Sequence, residues 1–484
     1  MTLEQYLYKM RVSTSRLLNM KIGWTIFFAV IVLLWTLVLF NSLLVNLEGK
    51  EILVDEVDIS FFTYPLLAFN LVFVITGMFI LGFFLFAFPK AIERQKLAKE
   101  ILSKKSVHRD AFHPNGNISD ILCSIIIPAH NEEKVIKETI TQALLQTHSN
   151  IEIIVICHNC TDKTLARCKE AADPKVFAYE LNTKNSGKGI ALNYGVILAR
   201  GNYILVLDGD GKLNRTFVED ILPMFEQGNF AAVQGRYIPS NREYNLLTRL
   251  LGLEGDLWSS PFMTIRSVIE NRTPLGGTGY IIRKSALISV GGFRNHLVDD
   301  YELTFRLLRN KFRIGFAPLS INYDEKPPAL NMMFNQRGRW LRGFLNLLKQ
   351  RVAEPRDFLG NLFWVNPLGS FINLIMLSIM AFSSLHQLLF HFYPFSFAYI
   401  PFNYWLILMG VNFVLSAAVL VRLYGWTGLK YSILLPIYAM FTNYYLVVGI
   451  KSFFIKSWGE TKTEHGFRIM EELITQMPIM KSIK

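Results

Sequence analysis

Two hydrophobic patterns alternate along the chain. Four stretches contain no Asp, Glu, Lys or Arg: between Lys21 and Glu48, between Asp58 and Lys90, between Asp357 and Arg422, and between Lys430 and Lys451. A helix that crosses a bilayer needs about 20 apolar residues, so each stretch can hold a span. The third is long enough for two, with a hairpin over His391 to Pro401. The pattern therefore predicts five spans, two before residue 90 and three after residue 357.

Between these stretches the period shortens. Apolar, β-branched runs at Ser124-Ile-Ile-Ile-Pro128, Ile151-Glu-Ile-Ile-Val-Ile156, Tyr203-Ile-Leu-Val-Leu207 and Gly279-Tyr-Ile-Ile282 have the character of strands. Glu133 to Leu145, Lys163 to Ala172 and Gly189 to Ala199 carry apolar residues at helical spacing. Alternating strands and helices predict an α/β domain with a mostly parallel mixed sheet covered on both faces. Ligands of such sheets bind beyond the carboxyl ends of the strands. Chemistry-bearing residues should therefore follow the strands directly.

Composition agrees with the membrane pattern: 51% of residues are hydrophobic and 13% aromatic, heavy for a soluble protein. Basic residues near the span ends set orientation. Lys9, Arg11, Arg16 and Lys21 precede the first span, and Lys90, Arg94, Lys96 and Lys99 follow the second. The loop between them is acidic, so the N-terminus and the middle segment are expected on the cytosolic side. The first span is read as a retained anchor. Five spans starting in the cytosol leave the tail outside. The net charge of +12 follows from this bias, with a contribution from a basic site for a phosphorylated substrate. No Lys/Arg run resembles a nucleic-acid arm.

Several motifs follow the strand-like runs. Pro128-Ala-His-Asn-Glu-Glu133 closes the first and opens a helix; it is either a capped helix start or a hold on a nucleotide's base and ribose. Asp208-Gly-Asp210 closes the third. Two carboxylates around one residue suit Mg2+ or Mn2+, hard cations that take carboxylate and phosphate oxygens together. Leu297-Val-Asp-Asp-Tyr-Glu302 opens another helix; its acids either complement the helix dipole or supply a general base. Ser186-Gly-Lys-Gly189 lacks the remaining features of a P-loop, which leaves Lys188 as a phosphate contact or a helix-start lysine. Gln336-Arg-Gly-Arg-Trp340 is either a basic interfacial segment or a polar clamp on a diphosphate. Cys157-His-Asn-Cys160 has the spacing of a redox or zinc motif, but no second Cys/His pair lies near it.

Taken in order, PAHNEE, NCTDKT, SGKGIALNYG, DGDG, VDDYEL and QRGRW, between leading and trailing spans, resemble the processive membrane-integrated family 2 glycosyltransferases. These include poly-N-acetylglucosamine, hyaluronan, chitin and cellulose synthases. The resemblance covers residues 120 to 345 and implies a nucleotide-diphospho-sugar transferase fold inserted between transmembrane helices. It implies that Asp208 and Asp210 bind Mg2+ or Mn2+, and that Pro128, His130, Asn131, Glu132, His158, Lys188, Asp208, Gln336 and Arg339 face the nucleotide-sugar donor. Gly277, Thr278, Gly279, Asp299 and Trp340 fall on the acceptor side. Asp300 aligns with the general base of the family's T-E-D motif, with Val298 and Asp299 in place of its Thr and Glu. Where the family carries an Asp that contacts uracil, this chain has Cys157 or His158, and Asp162 follows in the same turn. The resemblance also implies a cytosolic end over Trp458 to His465, so either residues 430 to 456 re-enter without crossing or one more span exists.

The resulting layout is a two-span membrane region (1–90), a cytosolic glycosyltransferase domain (91–345), an interfacial segment (346–357), a membrane region of about three spans (358–456) and a tail (457–484). The expected activity is inverting transfer of a sugar from a nucleotide donor, a UDP-sugar, to a growing polysaccharide at the plasma membrane. Export through the spans, past Asn366, Asn373 and Asn412 and with an accessory subunit, would follow. Two alternatives accompany it: glycosylation of a membrane lipid, and thiol oxidoreduction by Cys157 and Cys160. Nucleic acid is not an expected partner.

Overall fold

The structure is a computed structural model that describes residues 60–105, 118–185, 187–350, 402–442 and 448–449. The chain divides into two units, Met1–Phe79 with Gly369–Leu415, and Ile80–Leu368 with Ser416–Lys484. In the first unit the described residues, 60–79 and 402–415, are helical. Two helical stretches, Ile75–Glu100 and Gly410–Ser432, are long and apolar enough to cross a membrane. The expected spans over 22–47 and 358–400, Asn366, Asn373, the interfacial segment from 351 and the tail lie outside the described residues.

The second unit holds one eight-stranded sheet: β1 Cys123–Ala129, β2 Ile151–His158, β3 Val176–Leu181, β4 Tyr203–Val206, β5 Lys212–Leu213, β6 Ala232–Pro239, β7 Tyr280–Arg283 and β8 Ile314–Asp324. Their spatial order is β3-β2-β1-β4-β7-β6-β8-β5. The first four are parallel, β7 runs antiparallel to β4 and β6, β8 is parallel to β6, and β5 is antiparallel to β8. This is the mixed, mostly parallel sheet that the strand–helix alternation predicts. Parallel neighbours need crossovers, and helices Ile136–Leu144, Thr164–Lys169 and Lys188–Leu198 provide them.

Successive side chains of a strand point to opposite faces, so each isoleucine run feeds two cores. Ile125, Ile127, Ile153, Val155 and Leu205 pack on one face with Phe217, Ile221 and Phe225 of helix Phe217–Gly228. Ile126, Ile154, Ile156, Ile204 and Val206 pack on the other with Leu192 and Val196, and with Leu303 and Leu307 of helix Asp299–Arg309. β-Branched residues favour this pleated, doubly covered setting. Helix Ser60–Lys105 joins the same unit through its last turns. Ala98 enters the first core, and buried Gln95 donates to the Ser320 hydroxyl at 2.8 Å and accepts from the Leu319 N–H at 2.9 Å.

Two central strands escape the apolar pattern. β6 contains Gln234, Gly235 and Arg236, and β8 contains Gly315 and Pro318. The pairing jumps from Gly235↔Ala317 to Arg236↔Ile321. Pro318 thus sits in a bulge where its missing N–H breaks no ladder bond. The first expected helix also starts late, at Ile136, because Glu132 and Glu133 give their N–H groups to Thr164 and Asp162.

Ile126 is fully buried beneath Gly195, where an added methyl would collide with it. Ile126→Ala should cost about 2–5 kcal/mol. A lowered thermal midpoint of the purified protein checks this; an unchanged midpoint would place the residue outside the core.

Candidate active site

The carboxyl ends of β1, β2 and β4 and the amino end of the antiparallel β7 share one edge of the sheet, since Val206 pairs with Tyr280. At that edge the chain leaves β1 through His130, Asn131 and Glu132, β2 through His158 and Asn159, and β4 through Asp208 and Asp210, and it enters β7 from Gly277, Thr278 and Gly279. Helix Lys188–Leu198 starts beside them, and so does helix Asp299–Arg309, whose first turn carries Asp299, Asp300 and Glu302.

Lys188 ties these ends together. Its Nζ lies 2.5 Å from Asp208 Oδ1 and donates to the Gly277 carbonyl at 2.6 Å. The Asp208 N–H in turn donates to Thr278 Oγ1 at 2.9 Å. A side chain at Gly277 would lie 3.4 Å from Lys188 Nζ and 3.8 Å from Asp300 Oδ2, so the ammonium and the Asp300 carboxylate flank this glycine. A further chain runs to the Asp300 helix: Leu275 N–H donates to Thr304 Oγ1, and Thr304 donates to the Asp300 carbonyl.

Gathering acids here shifts their ionisation. Burial, then Asp208, pushes Asp210 up to about 6. Burial, then Asp210 and Asp208, pushes Glu132 up to about 7. Burial also raises Asp299, and burial with the adjacent Asp299 raises Asp300. Desolvation and like charge each disfavour the ionised form. Asp208 and Asp210 are the two carboxylates expected to face a cation, and each follows the carboxyl end of β4. Among the described residues no three His, Cys, Asp or Glu side chains converge as a complete cage. A pair of carboxylates fits a hard cation that draws its remaining ligands from water and phosphate oxygens.

On the β1 and β2 side, His130 Nδ1 donates to the His158 carbonyl at 2.8 Å, and His158 Nε2 pairs with Thr183 Oγ1 at 2.7 Å. Asn131, at φ 59°, accepts the Thr161 N–H. Pro128 lies in β1, paired to Ile156. Asp162 is occupied locally: it accepts from Thr164 N–H and Oγ1 and from Glu133 N–H. It thereby ties together the segments that lead into helices Ile136–Leu144 and Thr164–Lys169.

The expected Gln336-Arg-Gly-Arg-Trp340 clamp lies on helix Leu330–Lys349. The positive charge of Arg339 acts on Asp299, and Trp340 packs beside Val298, Tyr301 and Phe305. Both stand at the start of the Asp300 helix. Gln336 is half-buried and has no hydrogen bond to Asp208, Asp210 or Lys188. Arg337 is buried, pairs with Glu254 at 3.1 Å and lies over the Trp340 ring. Sequence spacing also missed Gln234. Its amide donates to the Thr278 and Gly279 carbonyls, and its oxygen accepts the Gly276 N–H.

The cysteine pair is not built for thiolate chemistry. Cys157 and Cys168 are buried with their sulfurs 3.9 Å apart. The contact with Cys168, then burial, raises the Cys157 thiol, and burial raises Cys160. Reactive cysteines need the opposite shift.

Residues 124–296 match the family model described as Glycosyl transferase family 2. Among curated relatives, the probable glycosyltransferase YdaM of Bacillus subtilis is 30% identical over 48% of this chain and 57% of its own. The beta-monoglucosyldiacylglycerol synthase of Nostoc is 29% identical over 46% of this chain and 48% of its own. The poly-beta-1,6-N-acetyl-D-glucosamine synthase of Staphylococcus aureus is 24% identical over 48% and 56%. The chain thus spans about half the length of the curated relatives it matches.

A raised carboxyl pKa stabilises the fold below the unfolded value, and that stability is lost as pH rises through the folded value. For Glu132 the loss runs from about pH 4.5 to about 7. Glu132→Gln should therefore raise the thermal midpoint at about pH 8 and leave it unchanged near pH 4. Equal midpoints at both pH values would show that the acids do not repel.

Proposed function

We propose that the protein is an inverting glycosyltransferase that moves a sugar from a nucleotide-sugar donor, a UDP-sugar, to a growing polysaccharide at the cytosolic face of the plasma membrane. The observation that carries this reading is the junction at Gly277, where Lys188, bound to Asp208, and the Asp300 carboxylate both lie within 4 Å of the point where a side chain at this glycine would begin. It brings a diphosphate-binding group and a proton acceptor within reach of the same small space.

In this mechanism Lys188 and Arg339 hold negative charge on the departing nucleoside diphosphate. Bound at Asp208 and Asp210, Mg2+ or Mn2+ would add charge stabilisation on the diphosphate oxygens. The acceptor hydroxyl lies over Gly277–Gly279 with Trp340 as a wall, and attacks the anomeric carbon. The C–O bond to the sugar forms as the bond to the diphosphate breaks. Asp300, its ionised form made basic by burial and by Asp299, takes the hydroxyl proton. A single displacement inverts the anomeric centre and needs no covalent intermediate. His130, Asn131, Glu132 and His158 bound the nucleoside side, while Asp299 lies on the acceptor side. The apolar helices Ile75–Glu100 and Gly410–Ser432 support a reaction at the bilayer, and in this reading spans and any accessory subunit serve export.

Glycosylation of a membrane lipid is the second reading, favoured by the higher identity to the Nostoc glucosyldiacylglycerol synthase. Product length in reconstituted vesicles separates the two: one sugar per lipid, or a polymer.

Asp300→Asn should preserve folding and donor binding while lowering turnover about 10²–10⁴-fold. Retention of more than about a tenth of the wild-type rate would remove Asp300 from the role of base. Chelation with EDTA should abolish transfer, and full activity in EDTA would defeat the assignment of Asp208 and Asp210.

A further inference from the structure

The Gly276–Gly279 segment rests on two side chains that belong to no motif. Tyr237 on β6 and Asn322 on β8 are register partners in the parallel pair. The Tyr237 hydroxyl donates to the Thr278 carbonyl at 2.6 Å and lies so close to Gly276 that a methyl group there would collide with it. Asn322 lies under the other end. A methyl group at Gly279, whose φ is +63°, would collide with its side chain.

The two floor residues differ in how they are satisfied. Tyr237 has its partner. Asn322 is fully buried, and neither Nδ2 nor Oδ1 has a hydrogen-bond partner. Buried amides are nearly always paired, and an unpaired one destabilises the fold that contains it. A leucine of similar size would avoid that penalty at this site. The amide lies against Gly279, its Nδ2 2.8 Å from where a side chain there would begin, in the segment that holds Lys188 through the Gly277 carbonyl and Asp208 through Thr278 Oγ1.

We propose that Tyr237 and Asn322 are positioning residues for the acceptor: Tyr237 fixes the Gly276–Gly279 segment as observed, and the Asn322 amide bonds to that segment in the arrangement it takes when acceptor is bound. The proposal rests on the glycosyl-transfer reading. It explains why glycine occupies both ends of the segment, and why an unsatisfied amide lies beneath it. Neither residue contacts the proposed reacting atoms; both act through the acceptor-side segment.

The test uses the full-length protein, reconstituted, with whichever of a soluble oligosaccharide or diacylglycerol-containing vesicles accepts sugar from the wild type. Transfer and acceptor-independent release of nucleotide are both measured. Asn322→Leu should raise the thermal midpoint, because the unpaired amide is gone. It should also raise the acceptor KM or lower kcat at least about fivefold, with donor KM and acceptor-independent release within about twofold. Tyr237→Phe, the conservative variant in case leucine does not fold, should raise acceptor KM with the same split. Gly276→Ala should impair transfer less in the Tyr237→Phe background than in the wild type, because the clash with the hydroxyl is removed. A more stable Asn322→Leu with unchanged transfer would overturn the proposal. So would losses that fall equally on transfer and release, which mark a merely structural role. A wild type that releases nucleotide from no nucleotide sugar would instead defeat the glycosyl-transfer reading itself.

Discussion

Like charges crowded at one sheet edge govern this molecule. Glu132, Asp208, Asp210, Asp299 and Asp300 come from distant parts of the chain, yet the fold delivers them to one end of the sheet. Their repulsion, added to desolvation, is what raises Glu132, Asp210 and Asp300. Lys188 answers part of that charge. Burial opposes its protonation, but Asp208, Asp299 and Asp300 outweigh burial and hold it charged. The proposed cation and diphosphate would bind beside this ammonium.

The rest of the domain keeps these groups from spreading apart. Gln234 clamps the Gly276–Gly279 backbone from β6, and Thr278 ties that backbone to Asp208. Helix Leu330–Lys349 packs Gly343 against Val298 and Leu297 at the start of the Asp300 helix, and its buried Arg337–Glu254 pair fixes the helix against Leu246–Glu254. In a second buried pair Arg242 meets Asp256 of the π-helical turn Gly255–Ser259, with the Tyr424 hydroxyl on the other Asp256 oxygen at 2.6 Å. Buried ion pairs add little net stability against apolar replacements, but breaking one leaves an isolated charge. Their effect here is to specify which surfaces meet.

Strands β1, β2, β4 and β7 were legible because strands buried on both faces read as continuous apolar runs. β6 and β8 were not, because Gln234 faces the site and Pro318 marks a bulge, both of which break periodicity. Motifs at strand ends located the acidic edge, since Asp208, Lys188, Gly277 and Asp300 meet there. Individual partners were less visible. Asp162 looks like a ligand in sequence and is occupied by Thr164 and Glu133 in space, and the CxxC spacing conceals a buried Cys157 thiol that faces Cys168 and a half-buried Cys160 thiol that donates to the Ala129 carbonyl. In Gln336-Arg-Gly-Arg-Trp340, the unmarked Arg337 makes the buried ion pair. Tertiary pairing of this kind leaves no period in the sequence.

The direct test of the central claim is cation binding at the acidic edge. Mn2+ titration followed by electron paramagnetic resonance, with and without a nucleoside diphosphate, reads it without turnover. The account predicts weak binding alone, tighter binding with the nucleoside diphosphate, and loss of both when Asp208 becomes Asn. Binding that ignores the nucleotide, or that survives Asp208→Asn intact, would contradict it.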